Sequence, residues 1–194
     1  MKIKNVLIVL FAFLSLQTNS HSTETYMYGS GKYFNYGVEK SDLQAINTSL
    51  VALGFSSSTS STDNSGFGFD VGFGVEMAPN FFLEGGYINY GTLTINTTLT
   101  GPAETVKIDI TGNGVTAAGK LQLDSYYVKA GMHSWDFSGK ITASLGSSSE
   151  PLGSGTDPFI GFGFGADGFE VGYEYYALDD GDISSLTFRY AYKF

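Results

Sequence analysis

Charged side chains recur at alternate positions inside several apolar stretches of the chain. They are Asp70, Glu76, Glu84, Lys120, Lys129, Glu170, Glu174 and Arg189. Alternate residues of a β-strand point to the same side, and buried charges must be paired or hydrogen-bonded. The pattern therefore predicts an interior network of ion pairs. Because five acids face three bases, water or a cation could also lie there, which leaves a narrow cation-preferring channel as an alternative function.

Nucleophilic catalysis by a serine is the other chemistry to consider, and it needs the Ser within hydrogen-bond reach of a His. The candidates are His133 and Ser134, which are adjacent in the sequence. Adjacent strand residues point to opposite sides, so this pair cannot form such a site by itself. Three acids, Asp179, Asp180 and Asp182, could bind a divalent cation, but an acidic solvated loop is the preferred interpretation. No catalytic, cofactor or metal site is predicted, and a lipid A-modifying enzyme is the weakest alternative.

The first 22 residues have the features of a secretory signal peptide, which leaves residues 23–194 as one domain. Lys2 and Lys4 precede an uncharged apolar run over residues 6–16, and small residues follow it. A transmembrane helix would need roughly 20 apolar residues. The sequence contains no Cys, so neither a lipoprotein anchor nor a disulfide framework is expected.

The exported part of the chain is strongly acidic. Without Lys2 and Lys4 it keeps 8 basic and 19 acidic residues, a net charge of −11. Nucleic acid is excluded as a partner, because phosphate binding needs a basic face.

Two stretches show the alternation of a β-strand most clearly. Over residues 67–77, large apolar side chains alternate with Gly and acidic residues, and over residues 186–194 aromatic side chains alternate with small, polar or basic ones. Large apolar residues outside and small or charged residues inside is the order of a transmembrane barrel strand. The content of 26 Gly, 13 Tyr and 16 Phe agrees with this. In hydrocarbon such strands must close into a barrel, because every backbone polar group needs a partner.

The full pattern predicts an all-β fold, an eight-stranded antiparallel up-and-down transmembrane β-barrel. Short turns are expected at residues 78–80, 124–125 and 166–168, with long connections between the other strands. Short periplasmic turns alternating with longer extracellular loops are typical of outer-membrane barrels. Eight strands give an interior that side chains just fill.

The long connections are predicted as polar loops over residues 41–66 and 137–157, and as a hairpin formed by residues 92–99 with 105–111. Residues 46–55 could form a short helix or extend a strand. The first strand lies within residues 26–40, and its register stays unassigned because its alternation is poor.

Three segments resemble OmpA-like transmembrane β-barrels. Residues 83–91, Leu-Glu-Gly-Gly-Tyr-Ile-Asn-Tyr-Gly, are similar to the third-strand signature of that family, and residues 171–176 and 186–194 resemble its last two strands. The resemblance implies that Glu84 pairs inside the barrel with Lys120 and Lys129. The basic residue usual on strand seven is replaced here by Glu170.

The final strand also resembles the signal that barrel-assembly machinery recognises in this family. Its aromatic residues are Phe188, Tyr190, Tyr192 and Phe194. Further expected partners are outer-membrane lipid, lipopolysaccharide and a surface ligand of the loops, and a monomer is expected. The predicted location is the bacterial outer membrane. The predicted function is an envelope structural or surface-interaction role, adhesin-like, through extracellular loops on a plugged barrel.

Overall fold

The computed structural model describes residues 24–52, 57–100, 104–144, 146–178 and 181–194. In chain order its elements are β1 Thr25–Asn35, α1 Lys40–Ala52, β2 Ser57–Asp63, β3 Ser65–Ala78, β4 Phe81–Thr100, β5 Glu104–Leu123, β6 Tyr126–Ala143, β7 Gly146–Ala166, β8 Phe169–Tyr176 and β9 Ile183–Lys193. The predicted signal peptide, residues 1–22, lies outside the described residues.

Eight of the described strands, β1 and β3 to β9, form one closed antiparallel ring. The ring closes where β1 pairs with β9, from Tyr26 opposite Lys193 to Asn35 opposite Ser184. β2 lies outside the ring, and among the described strands it pairs with β4 alone, at the last residues of that strand. The prediction of an eight-stranded up-and-down barrel is confirmed.

Three tight turns mark what we term the lower end of the barrel, where Phe194 N–H also donates to the Thr25 carbonyl at 3.1 Å. Asn80, Asp124 and Asp167 lead or complete these turns with φ of 64°, 53° and 53°. Asn and Asp tolerate this left-handed region because their short polar side chains bond locally. The turns lie where the sequence predicts them, within one residue.

An apolar band surrounds the outside of the ring. The outward side chains of β3 are largely exposed, with Phe67 at 78% and Phe73 at 62%, and those of β7 include Phe162 at 59%. Their inward neighbours are Gly or buried charged residues such as Asp70. The inward and outward assignments made from the sequence for β3 and β7 are therefore correct.

Four strands continue beyond the upper rim of the ring. β4 pairs with β5 up to Leu99 opposite Glu104, and β6 pairs with β7 up to Ala143 opposite Gly146. Together with β2 they form a sheet that we call the ribbon, comprising β2 and residues 91–100, 104–112, 137–143 and 146–157. Its strands extend roughly 30 Å past the rim at about 3.4 Å per residue.

The ribbon corrects two predictions. The prediction of a loop over residues 137–157 is wrong: most of their described part is paired strand of β6 and β7, with Ser144 in a turn and Leu152 left out of the pairing by a bulge. Residues 41–66 contain α1 and β2, in which the Ser/Thr-rich tract pairs with β4. A tract rich in Ser and Thr is typical of a loop, but hydroxyl-bearing side chains such as Thr are also compatible with a solvated strand. Composition alone therefore did not distinguish the two. Residues 53–56 lie outside the described residues.

The helix α1 begins after Glu39, whose main-chain N–H donates to Asp42 Oδ2 at 2.9 Å. This local bond satisfies one of the free N–H groups at the start of a helix. Within the described residues, no helix is long and apolar enough to cross a membrane.

A β-bulge resets the alternation at the base of the ribbon. The pairing of β4 with β5 shifts between Asn89 and Gly91, and Gly91 has a φ of 78°. Gly adopts this conformation without strain. Beyond the bulge the odd-numbered residues of β4 face inward, so Leu93 and Ile95 are buried at the same face as Tyr90.

Candidate functional site

The charged side chains inside the ring form one connected network at mid-height. Seven of the eight residues predicted for it have buried or nearly buried positions there, together with Lys32, and they are linked by carboxylate–base contacts within 4.0 Å. The predicted members that the structure brings together are Asp70, Glu84, Lys120, Lys129, Glu170, Glu174 and Arg189.

Glu84 of β4 lies at the centre of the network. Arg189 Nη1 and the Tyr26 hydroxyl donate to its Oε1 at 2.7 and 2.5 Å. Lys120 and Lys129 lie farther away, with Nζ to carboxylate distances of 3.8 and 3.7 Å. Glu84 therefore contacts both lysines named by the family resemblance, but its hydrogen bonds come from β9 and β1, across the lumen.

The second centre is Glu174 of β8, whose side chain is fully buried. Lys32 pairs with Glu174 Oε2 and Lys129 with Oε1. Lys32 Nζ also lies 3.2 Å from Asp70 Oδ2 and donates to Thr187 Oγ1 at 3.0 Å. Each of these ammonium groups has more than one oxygen partner, which offsets the cost of removing its charge from water.

Lys32 was missed from the sequence. β1 carries large residues on both sides, with Tyr33 outward and Phe34 inward, so composition does not reveal its inner face. The available signal was the alternation of Ser30, Lys32 and Phe34, in which a lone lysine interrupts an otherwise uncharged strand. In a membrane barrel a charged side chain belongs on the inner face of its strand, because the outer face meets lipid.

With Lys32 included, the interior charges of the described residues balance. Four bases, Lys32, Lys120, Lys129 and Arg189, face four carboxylates, Asp70, Glu84, Glu170 and Glu174. The fifth predicted acid, Glu76, lies near the lower turn, where it accepts a hydrogen bond from Asn80 N–H at 3.1 Å. The acidic surplus that suggested a cation path is therefore not found in this network.

Aromatic layers lie below and above the charged layer. Below it, Arg189 stacks on Tyr28 with its guanidinium carbon 4.0 Å from the ring centroid, and Lys120 Nζ lies 4.7 Å from the centroid of Tyr127. Above it, Phe159 stacks on Tyr176 with centroids 5.2 Å apart. Such contacts stabilise desolvated cations, so the aromatic layers and the ion pairs form one packed interior.

Inward glycines make room for the tyrosines of the lower layer. A Cβ atom added at Gly74 would come within 2.2 Å of Tyr26 Cζ, and one at Gly72 within 2.6 Å of Tyr28 Cζ. The Gly-rich strands that the sequence showed are therefore required by large side chains on the neighbouring strand.

The His133–Ser134 pair is separated by the sheet, as alternation predicts. His133 is fully buried, and its Nδ1 lies 2.6 Å from the Tyr90 hydroxyl while its Nε2 lies 3.3 Å from the Ala177 carbonyl oxygen. A ring with Nε2–H donating to Ala177 and Nδ1 accepting from Tyr90 satisfies both contacts. Ser134 lies on the exposed outer side, so the two side chains do not form a nucleophile–base pair.

Of the three acids considered for a cation site, one lies within the described residues. Asp179 and Asp180 lie outside the described residues, and Asp182 precedes β9. Within the parts of the chain that the structure describes, no group of three or more His, Cys, Asp or Glu residues is arranged to hold a metal ion.

The aromatic residues of the final strand all face outward. Their exposed fractions are 55% for Phe188, 47% for Tyr190, 56% for Tyr192 and 70% for Phe194. Because β9 closes the ring against β1, these aromatic side chains line one side of the seam.

A side-chain contact links the two hairpin tips of the ribbon. The Glu104 carboxylate accepts hydrogen bonds from Ser144 N–H at 2.8 Å and from Ser144 Oγ at 2.6 Å. These hydrogen bonds stabilise the ionised carboxylate and lower the pKa of Glu104 below its usual range.

The outward side of the ribbon carries a polar cleft of about 410 Å³. A cross-strand row of Thr94, Asp109, Lys140 and Ser149 runs through it. Lys107 Nζ donates to Asp109 Oδ2 at 2.9 Å beside that row.

Comparisons with known proteins agree with this architecture. The chain matches the family model of the outer membrane protein beta-barrel domain over residues 6–194. A comparison with curated protein sequences found no match. Ail, the attachment invasion locus protein of Yersinia pestis, solved in complex with the heparin analogue sucrose octasulfate, is similar in structure with a TM-score of 0.53 and 13% identity over 89% of this chain and 97% of Ail.

Two further solved structures are similar at low identity. A second crystal structure of Yersinia pestis Ail has a TM-score of 0.52 and 14% identity, with the same coverage of 89% and 97%. Neisserial surface protein A has a TM-score of 0.43 and 12% identity over 90% of this chain and 100% of that one. The family model covers nearly the whole chain, and the apolar band outside the ring is what such a protein presents to lipid. The chain therefore belongs to the outer membrane β-barrel family, and it is a protein of the Gram-negative outer membrane.

Proposed function

We propose that this protein mediates a surface interaction, in which the barrel serves as an anchor and the ribbon contacts a partner outside the cell. The observation that carries the proposal is the ribbon itself. β4 to β7 continue past the rim as paired strands instead of ending in loops. A structural barrel needs only short connections, whereas a hydrogen-bonded sheet projecting from the membrane presents a defined surface.

Packing inside the barrel supports an anchoring role over a channel. The side chains of Lys32 and Glu174 have no exposed surface, and those of Glu84 and Arg189 have 2% and 1%. An ion on that route would have to separate pairs that are buried and mutually neutralised. The balanced charge gives no preference for cations.

Ail was solved with a heparin analogue bound, which places a ligand on a relative with this fold. We extend to the present chain the idea that a barrel of this fold can bind a ligand. The outer-leaflet lipid and lipopolysaccharide remain proposed partners of the outward surface, where Lys107 and Lys140 line the polar cleft above the apolar band.

The proposal is tested by comparing the adhesion of bacteria that express the intact chain with that of bacteria whose chain has a shortened ribbon, called the trimmed chain. Residues 95–108 and 140–149 are each replaced by Asn-Gly, which joins directly opposed residues, Thr94 with Asp109 and Gly139 with Glu150. Intact chains should increase attachment to host cells and to immobilised matrix proteins, and trimmed chains should not. Equal attachment by both would contradict the proposal.

Two control measurements address the alternatives. A steady cation-selective conductance of the pure protein in planar bilayers would favour the channel. A change in the lipid A mass spectrum when the protein is expressed would favour the enzyme.

A further inference from the structure

We propose that the protein binds a small organic cation, an ammonium group joined to a single apolar ring, in a pocket at the upper mouth of the barrel. The ring of this ligand occupies the apolar pocket, and its ammonium group lies against the carboxylate of Asp157. The inference goes beyond the proposed surface-interaction function and does not depend on it.

The pocket has a volume of about 300 Å³ and lies where the ribbon meets the ring. Apolar side chains of several strands and of the segment after β8 supply its walls. They include Leu93, Trp135, Phe137, Leu152, Leu178 and Ile183. Small-molecule sites have volumes of roughly 300–1,000 Å³. The pocket is at the lower end of that range, so a ligand that fits it is compact.

Aromatic rings form one wall of the pocket. Trp135 and Phe137 pack against each other with ring centroids 5.3 Å apart, and Phe137 packs on the buried Tyr90 at 5.4 Å. Because these contacts already hold the rings in place, binding a ligand against them costs little ordering. Aromatic faces bind apolar rings and also attract cations, so this wall suits both parts of the proposed ligand.

The carboxylate of Asp157 lies at one end of this wall. Trp135 Nε1–H donates to Asp157 Oδ2 at 2.5 Å. The indole extends along β7 from that carboxylate to the pocket, because a Cβ atom added at Gly155 would lie 3.1 Å from Trp135 Nε1 and one at Gly153 would lie 3.7 Å from Cζ3. Carboxylate and pocket are therefore separated by the length of the indole, which a ring joined to an ammonium group by a short chain can span.

The charge of Asp157 has no base beside it in the described part of the chain. The ion pairs inside the ring use four other acids, Asp70, Glu84, Glu170 and Glu174, and none of the ion pairs among the described residues includes Asp157. Trp135 supplies a hydrogen bond but no positive charge. Hydrogen bonds between two ionised groups are the stronger ones, so a half-buried, inward carboxylate of this kind favours an ammonium ligand.

The other charge beside the pocket is also negative. Asp182 lies between the lining residues Gly181 and Ile183, and no Lys or Arg is among the described residues that line the pocket. Complementary charge favours encounter and suppresses wrong partners. An anion of the same shape is therefore disfavoured, which separates this ligand class from fatty acids.

The pocket is reached from outside the cell. Below it the interior is filled by Phe34, Tyr90 and Tyr176, which are fully buried and belong to one apolar cluster. On its open side Leu152 is 55% exposed. A ligand that covers Leu152 removes apolar surface from water, which adds to the affinity supplied by the carboxylate.

Calorimetry and tryptophan fluorescence test the proposal on the purified protein folded in a nonionic detergent. Trp135 is the only Trp of the chain, so a change in tryptophan emission locates a ligand at this wall. The reference probe is protonated 2-phenylethylamine. The matched probes are 2-phenylethanol, which is neutral, 3-phenylpropionate, which is anionic, and ethylammonium, which has no ring. Micelles without protein give the background from partitioning into detergent.

We expect the reference probe to bind and to change the emission of Trp135. Replacing the charged contact with a neutral one should weaken binding about tenfold, so 2-phenylethanol binds more weakly and 3-phenylpropionate more weakly still. Ethylammonium should show no binding, because it has no apolar part to fill the pocket.

Three variants assign the two parts of the ligand to the two parts of the site. Asp157→Asn removes the charge and keeps an oxygen that accepts from Trp135, so it should weaken binding of the amine about tenfold and leave the alcohol unchanged. Leu152→Asn makes the pocket polar and should weaken both probes. Asp136→Asn is the matched control, because Asp136 is exposed on the outer face of the sheet beside Trp135, and it should change neither.

Several outcomes would overturn the proposal. They are equal affinity of the intact protein for the amine and the alcohol, unchanged affinity of Asp157→Asn for the amine, an equal loss in Asp136→Asn, and no binding of the amine at millimolar concentration. Equal affinities for amine and alcohol would instead indicate a pocket for apolar molecules in general. If Asp157→Asn does not fold, the comparison of the four probes on the unchanged protein still decides.

Discussion

Lys32 and Glu174 form a fully buried ion pair between β1 and β8, two strands that are separated in the ring by β9. The ammonium group thus reaches past the adjacent strand to a carboxylate on the next one. This pair connects the two sides of the closing seam through the lumen, in addition to the main-chain pairing of β1 with β9.

We predict that Lys32→Met destabilises the barrel, because it leaves Asp70 without its 3.2 Å contact to a base and leaves Lys129 as the remaining base beside Glu174. Breaking a buried pair by removing one partner typically costs about 3–5 kcal/mol. Urea unfolding of the protein folded into lipid vesicles measures the effect. The control is Lys107→Met, whose half-exposed pair with Asp109 should contribute only about 0–1 kcal/mol.

Adding Glu174→Gln to Lys32→Met should cost less than the sum of the two single changes, since both act on one interaction. Additive effects would show that the two residues stabilise the fold independently.

We predict that Gly74→Ala is strongly destabilising and that Gly31→Ala is not. The added methyl at position 74 would meet the Tyr26 ring at 2.2 Å, whereas none of the described atoms lies within 4 Å of a Cβ at position 31. Overpacking of this kind costs about 1–3 kcal/mol. The same unfolding titration compares the two, and equal stabilities would mean that Tyr26 turns away from β3.

We predict that the Glu104–Ser144 contact persists below the pH at which an ordinary glutamate protonates. Its folded pKa is lowered by the Ser144 hydrogen bonds, so the contact stabilises the ribbon above the unfolded pKa of about 4.3. That stability is lost as the pH falls through the lower, folded value.

An NMR titration of the Ser144 amide in detergent micelles reports that midpoint. Ser144→Ala removes the hydroxyl donor and should move the midpoint upward, toward the ordinary value. A midpoint unchanged by this substitution would mean that the Ser144 hydroxyl does not lower the pKa of Glu104.

We predict that Phe194→Ser impairs assembly in cells more than stability in vitro. Phe194 is 70% exposed on the outer side of the seam, so its side chain has few contacts within the barrel to lose. If the final strand acts as a signal for the assembly machinery, the variant should accumulate unfolded in the periplasm. Comparing its folded fraction on unheated gels from cells with its refolding yield separates the two effects, and equal losses would contradict a signalling role.

The sequence allowed the ring to be predicted because membrane strands alternate with a strict period of two. The outward Phe residues of β3 and the inward carboxylate of Glu84 follow directly from that period. Lys32 was missed because β1 has large side chains on both faces, so its inner face is defined only by the pairing with β3, in which Lys32 lies opposite Gly68.

The ribbon could not be predicted for a different reason. Solvated strands lack an apolar face on their outer side, and the bulges at Gly91 and between Phe137 and Ser138 shift the alternation at its base. Residues such as Ser147 and Ser149 then look like loop composition, although each has a partner on β6. Glu76 lies near the lower turn, apart from the ion-pair network. A period of two gives the face of a residue but not its height in the barrel.

The unequal heights of the strands give the molecule a lopsided profile above the membrane. β8 and β9 end at the rim while β4 to β7 rise past it, so the ribbon stands over one half of the circumference only. As the barrel rotates about the membrane normal, the ribbon faces each direction in turn. A neighbouring membrane protein beside that half of the barrel would cover the ribbon, whereas one beside β1 would leave the ribbon accessible. The arrangement of neighbouring proteins in the membrane would thus determine from which directions a partner can reach the ribbon.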